Sequence, residues 1–255
     1  MGAIMSIELL IAKLSGCQVR IAHSHNTTCD YKKVDKLLRP LFYHMYTDAF
    51  ACGEEAGKWL YRKHPFIVIN NGRDINKYRF DGEKRCKMRQ QLGINDNTLL
   101  IGHVGNFNNQ KNQKFLIMIF QEIINMNQDA KLYLMGEGST REKLERLVDS
   151  LGLKDKVFFT GSITNIPDML QAMDVMVFPS LHEGLPLVVV EWQIAALPCL
   201  ISDTITKSCV YTKLIKFESL EKNYVEWAKQ IIEMKLSNRE QYAEDVVILL
   251  LRMHV

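Results

Sequence analysis

The chain has 255 residues, 47% hydrophobic and 24% charged, an ordinary globular composition that suffices for one large domain or two modest ones. Its formal net charge of +3 lacks the basic excess expected of a nucleic-acid-binding protein. The six cysteines (Cys17, Cys29, Cys52, Cys86, Cys199, Cys209) include no C-x-x-C pair, and no apolar run approaches the ~20 residues of a membrane span. Neither a disulfide framework nor a zinc finger is expected, and a reducing, cytoplasmic setting follows.

The opening MGAIMSIELLIAKLSG has no basic leader, and Glu8 and Lys13 interrupt its apolar stretch, so it reads as an amphipathic helix and not a signal peptide. QVRIAHSH then predicts a strand, 31–46 a helical region, and PFIVIN a second strand. The basic run Tyr31–Arg39 (YKKVDKLLR) is ordinarily a solvated helix face, although its composition also suits contact with anionic lipid. Asn71 and Gly72 break the chain, and the polar segment 73–97 reads as a linker. Residues 1–72 fall short of the ~100–150 of a complete doubly wound domain, so another chain or a missing start is expected to complete it.

From residue 98 to 255 the pattern is regular. Apolar runs predict strands at 99–105, 131–135, 157–160, 174–179 and 198–202, alternating with helical spacing near 113–126, 140–151, 166–172 and 187–196. That alternation implies a parallel sheet with helices on both faces. The loops that follow strands (GNFNNQKN, GEGST, GSITN, SLHEGLP, SDTIT) are polar and rich in Gly or Asn. In such a sheet they gather at the carboxyl edge, where ligands bind.

Four segments carry groups suited to chemistry, three at that edge and one, RIAHSHNTT, at the carboxyl edge of the first domain. In SLHEGLPLVVVEW, Gly184 permits a sharp turn and Pro186 suits the first turn of a helix, whose free N–H groups would seat a phosphate. Glu183 in the loop and Glu191 one turn into the helix could face one crevice and accept bonds from sugar or ribose hydroxyls. A helical Glu is usually solvated, but Glu191 is flanked by LVVV and Trp192. In GNFNNQKN, Gly105 ends a strand and Lys111 precedes a helix, where it can act as a point charge on a diphosphate or simply be solvated. In RIAHSHNTT, His23 and His25 lie on one side of a strand. No acidic or cysteine partner is near in sequence, so a proton donor or hydroxyl ligand, or a mere pair of bonded loop histidines, is expected ahead of a metal site. Gly136 and Gly138 would let backbone approach a nucleotide, with Gly161 to Ile166 forming a wall beside it, although a lone G-x-G is weak evidence.

Taken together, GNFNNQKN, LMGEGSTREKLE, VFFTGSITNIPDML and MDVMVFPSLHEGLPLVVVEWQIAALPCLISD resemble the large retaining glycosyltransferase family four, over about residues 20–230. The resemblance is strongest to bacterial enzymes of capsule and exopolysaccharide synthesis. It implies an α/β, GT-B-like fold of two Rossmann-like domains with parallel sheets facing across a cleft, the N-terminal one here incomplete, and no metal or other cofactor. It further implies that Glu191 holds the donor's ribose, that Lys111 binds diphosphate, and that Glu183 with Gly184, Leu185, Pro186 and Leu187 contacts the sugar and diphosphate. Gly105, Asn106, Gly136, Gly138 and Ile166 would complete the donor site. His25 would lie near the acceptor, with His23 as second choice.

The implied activity is transfer of a sugar, with retention, from a nucleoside-diphosphate sugar such as a UDP-sugar to a polysaccharide or lipid-linked acceptor, in the cytoplasm at the inner membrane face. A nucleotide-sugar epimerase of the same architecture and an inactive nucleotide-binding fragment are the alternatives. Three departures stand out. Asn106 occupies the place of a common Arg, which should weaken diphosphate binding. The junction reads NGRD, where an apolar residue commonly precedes the Asp. The start is short and the end, VVILLLRMHV, is apolar where a charged helix is usual, implying a shortened chain or a terminal helix packed on a partner.

Overall fold

A computed structural model describes residues 2–26, 29, 31–69, 71–126, 128–235, 239–243 and 246. Contacts divide the chain into two compact units, Met1–Gly72 with Glu183–Pro186, and Arg73–His182 with Leu187–Val255. Each unit is built on its own parallel sheet.

In the first unit a 3-10 turn leads into α1 (Ser6–Leu14), followed by β1 (Ile21–Ser24), α2 (Lys32–Phe42), β2 (Asp48–Ala51), α3 (Glu54–Tyr61) and β3 (Ile67–Val68). The strands pair in sequence order, β1 with β2 and β2 with β3. Their alternate buried residues, Ala22, Ala49 and Ala51 among them, are small, which lets Phe42, Leu60 and Tyr61 pack closely over the sheet. The basic run on α2 divides into two roles. Asp35 is buried and accepts from Ala3 N at 2.7 Å and from Arg39 Nε at 2.7 Å, while Arg39 Nη1 donates to the carbonyls of Trp59 and Leu60 near the end of α3. Lys32, Lys33 and Lys36 are exposed.

The second unit starts with α4 (Ile75–Tyr78) and α5 (Gly82–Gln91). The polar segment expected to be a linker is therefore largely helical. Asp74 and Asp81 cap the two helices, accepting from Asn76 N and Lys84 N, both at 3.0 Å. The helix α5 packs on its neighbours through arginines instead of an apolar stripe, which is why hydrophobic periodicity does not announce it. Beyond it come β4 (Leu99–Val104), α6 (Gln113–Asn125), β5 (Ala130–Met135), α7 (Arg141–Ser150), β6 (Val157–Gly161), α8 (Ile166–Ala172), β7 (Val175–Phe178), α9 (Leu187–Ile194), β8 (Cys199–Ser202), β9 (Ile215–Glu218) and α10 (Tyr224–Glu233). The strand order is β6-β5-β4-β7-β8-β9, all parallel. The strands and helices expected from residue 99 to 202 appear within one or two residues of their predicted ends. The apolar C-terminal run lies outside the described residues except for Val246, which is buried against Phe80 and Val190.

The amino edge of this sheet is closed by arginines. The carboxylate of Asp174, just before β7, accepts from Arg85, from Arg89 Nη1 at 3.1 Å and from Leu100 N at 2.8 Å. Arg85 Nη1 also donates to the carbonyls of Gln171, Ala172 and Met173, which α8 leaves unpaired at its C-terminus. Arg89 reaches Asn95 O and Thr98 O ahead of β4. Arg239 joins from the far end of the chain, donating to Leu170, Gln171, Met173 and Ala195 with its guanidinium 4.3 Å over the Phe80 ring. Asp174→Ala should strand the charge of Arg89, which is 3% exposed, and cost roughly 3–5 kcal/mol of stability. Urea unfolding followed by circular dichroism measures this; a loss below about 1 kcal/mol would mean that carbonyls alone satisfy the guanidinium.

Candidate functional site

The loops after β4 and β5 close on each other backbone to backbone. Gly105 N donates to Met135 O at 3.0 Å, Phe107 N to Glu137 O at 2.7 Å, and Thr140 N to Phe107 O at 3.2 Å. Gly136 and Gly138 make this approach possible: a Cβ would stand 2.2 Å from Gly105 O at the first and 2.2 Å from Phe107 O at the second. The space those glycines leave open is thus filled by the β4 loop itself. Gly136 N also donates to Gly161 O at the end of β6, and Ile166 stands half-buried as the first residue of α8.

The same β4 loop is tied to the segment after β7. Leu181 N donates to Gln110 O at 2.8 Å, and Gln110 Nε2 donates back to His182 O at 2.8 Å. Asn112, in the left-handed region at φ 55°, donates from its side chain to Pro179 O. Lys111 sits between these anchors, its Nζ 4.6 Å from the centroid of the Phe178 ring, which favours a cation over its face. Asn106 is exposed, so its side chain faces solvent while its carbonyl accepts from Gln113 Nε2 at 2.9 Å.

Under this loop lies His103, fully buried in β4. Its Nδ1 is 2.9 Å from Val177 O and its Nε2 is 3.3 Å from Gln113 Nε2. Burial pushes its pKa down to about 4, opposed by the bond to Val177 and assisted by the nearby Lys111 cation.

After β7 the chain runs through Ser180, whose carbonyl accepts from Ser202 Oγ at 2.5 Å and Thr204 Oγ1 at 3.0 Å. Residues 183–186 turn, and α9 begins at Leu187. Glu191 follows one turn later and is 7% exposed, held by Arg73 Nε at 2.6 Å from its Oε1. Tyr78 hydrogen-bonds the same carboxylate, and burial together with that negative charge pushes its phenol pKa up. The departure at NGRD now has a structural counterpart, since its arginine is the ion-pair partner of Glu191. Sequence reasoning marked Arg73 as unusual without seeing this partner, 118 positions away.

In the first unit, His23 and His25 come together as the two-residue spacing implies, with ring centroids 4.2 Å apart. The Nε2 of His23 is buried without a partner, and its pKa is lowered by burial first and by His25 second. His25 is exposed, and a Cβ on Gly184 would stand 3.0 Å from the His25 carbonyl oxygen. Glu183 and Leu185, half-buried, flank that glycine, with Pro186 buried after them. Among the described residues no group of three or more His, Cys, Asp or Glu could hold a metal ion, and no helix is long and apolar enough to cross a membrane.

The family model for glycosyl transferases group 1 matches residues 84–244. The chain belongs to that family. As a group 1 glycosyltransferase it is 32% identical to Bacillus subtilis EpsF, assigned to the glycosyltransferases, over 90% of this chain and 63% of EpsF. It is 28% identical to the Escherichia coli UDP-Gal:alpha-D-GlcNAc-diphosphoundecaprenol alpha-1,3-galactosyltransferase, over 79% of this chain and 56% of that enzyme. The chain therefore spans less than two thirds of these relatives. Among solved structures, Anabaena HepE in complex with UDP superposes with a TM-score of 0.77 at 20% identity, covering 98% of this chain and 74% of HepE. WaaG, a glycosyltransferase of lipopolysaccharide biosynthesis, gives 0.72 at 17% identity, over 93% of this chain and 74% of WaaG. At such identities these likenesses establish the fold, which is the α/β GT-B type.

The buried histidine should make this family member acid-sensitive. The unfolded chain binds the His103 proton below about pH 6.5 and the native chain only below about pH 4. Between those values the unfolded state holds more protons, so stability falls as pH falls, by about 3 kcal/mol over the whole window. Imidazole carbon shifts followed by NMR should show His103 neutral down to pH 5; a midpoint near 6.5 would remove the effect.

Proposed function

We propose that the chain carries the donor-binding part of an enzyme that transfers a sugar, with retention, from a UDP-sugar to a polysaccharide or lipid-linked acceptor. The reading rests above all on one arrangement within the second unit. A backbone bond and a bond from the Gln110 side chain join the loop carrying Lys111 to the segment that leads into the helix of Glu191. A cation and a hydroxyl-accepting carboxylate then belong to one edge, as a nucleoside diphosphate requires. HepE with UDP and HepE with UDP-glucose support the nucleotide, and the galactosyltransferase relative supports a lipid-diphosphate acceptor.

In this reading Glu191 accepts from the ribose hydroxyls, with Arg73 holding the carboxylate in place. Lys111 meets the diphosphate, and the free N–H groups at the start of α9 add to it. Gly105, Asn106 and Ile166 flank the nucleotide, while Gly136 and Gly138 act indirectly by letting the β4 loop close. Glu183 and the backbone from Gly184 to Leu187 contact the transferring sugar. His25 serves the acceptor hydroxyl as a bond partner. Calorimetric titration with UDP, GDP and ADP in the presence of EDTA tests the donor site. UDP should bind best, and Glu191→Ala should weaken it by about tenfold or more. A folded chain that binds none of the three would refute the reading.

We also take α2 as a contact with the anionic surface on which a lipid-linked acceptor resides. Lys32, Lys33 and Lys36 are exposed on it beside Val34, Leu37 and Leu41, which are 44%, 79% and 36% exposed. At about 1 kcal/mol per lysine, replacing all three by alanine should weaken binding to phosphatidylglycerol vesicles about a hundredfold. Equal sedimentation of the native protein with neutral and anionic vesicles would count against this role.

A further inference from the structure

The hydrogen-bond chain beneath the β4 loop joins four separate elements. Val177 on β7, His103 on β4, Gln113 at the start of α6 and Asn106 in the loop are linked at 2.9, 3.3 and 2.9 Å. His103 and Gln113 are 0% and 1% exposed, so neither can touch a ligand from solvent, yet both are polar groups in an interior where burial is costly unless they are hydrogen-bonded. We infer that His103 and Gln113 form a positioning pair that sets the shape of the Gly105–Asn112 loop for a diphosphate; this rests on the donor-site reading above.

The proton arrangement has only one consistent solution. A carbonyl can only accept, so the His103 nitrogen facing Val177 O is the one that carries hydrogen. In the neutral ring the other nitrogen, Nε2, then has a lone pair and must accept. Gln113 supplies both needs from a single amide nitrogen, one hydrogen going to His103 Nε2 and the other to Asn106 O. Turning the amide over would set its oxygen against two acceptors. The price of this arrangement is visible at Gln113 Oε1, which is buried without a partner. A residue that merely filled space would not carry that cost.

The pair acts on the working part of the loop through its two ends. Gln113 holds the Asn106 carbonyl at the entry, and Asn112, next to Gln113, is fixed in the left-handed region and bonded to Pro179 O at the exit. Lys111 lies between, with its ammonium over Phe178, whose ring centroid is 5.7 Å from that of His103. The ring that sets the amide's orientation therefore also packs against the platform under the lysine. Displacing Gln113 releases the entry of the loop and moves Lys111 relative to β7, although no contact to the nucleotide itself is removed.

Gln113→Met keeps length and volume but removes both donors. We expect it to bind UDP about tenfold more weakly, measured by calorimetry at a temperature where it remains folded. Ile231→Val, a one-methylene truncation in the core on α10, provides a control and should keep the native affinity. Nitrogen-15 NMR of the native protein should show a neutral His103 with hydrogen on Nδ1 and an accepting Nε2. Affinity of Gln113→Met within about twofold of native, or a His103 protonated on Nε2, overturns the inference and leaves the donor site standing. Equal weakening in Ile231→Val assigns the effect to general destabilisation and overturns it too. A folded native chain that binds no UDP removes the donor-site reading itself, and this inference with it.

Discussion

A single buried carboxylate organises the second unit. Asp174 is 6% exposed and draws together β7, the first residues of β4 and two arginines of α5. The same arginines, with Arg239, satisfy the carbonyl ends of α8 and α9. Helix ends in a parallel sheet come to the amino edge just before each new strand, and those carbonyls would be left unpaired in the interior without donors. Guanidinium groups do this work, so the edge is closed by polar bonds as well as by apolar packing. These bonds lie at the edge opposite the candidate site.

At the carboxyl edge the loops are held by backbone bonds and a few polar side chains. The β4 loop closes on the β5 loop only because Gly136 and Gly138 leave room, and it is joined to the β7 segment through Gln110. Lys111, half-buried with its ammonium over Phe178, rises from a main chain fixed on both sides. That division suits a binding surface, where the scaffold must not move while the exposed groups adapt.

How much of this could be read from the sequence depended on what each element buries. The central strands β4, β5, β7 and β8 are covered on both faces, so they stand out as continuous apolar runs. The strand β2, with sequence DAFA, buries two alanines and goes unnoticed, as does α3 behind it. The helix α5 was hidden for the opposite reason, since arginines form its buried face. Glu191 was legible because a lone carboxylate among LVVV and Trp192 is out of place. Its partner Arg73 was not, because pairing across more than a hundred residues leaves no local pattern. Gln113 and His103 likewise look like ordinary polar residues until their shared hydrogen bonds are seen.

The pairing of Arg73 with Glu191 has an electrostatic consequence. A bare carboxylate at the edge where an anionic ligand is proposed to bind would repel it, and burial would strengthen that repulsion by lowering the local dielectric. With Arg73 at 2.6 Å, the two groups together carry no net charge. Tyr78 hydrogen-bonds the same carboxylate, whose roughly four acceptor sites still leave lone pairs for neutral hydroxyls, while its field on a bound phosphate would be largely cancelled. The positive end of α9 and the Lys111 cation would then both act on such a phosphate. For the nucleotide proposed as ligand, recognition of its sugar-like part and attraction of its charged part would thereby be compatible within a few residues of each other.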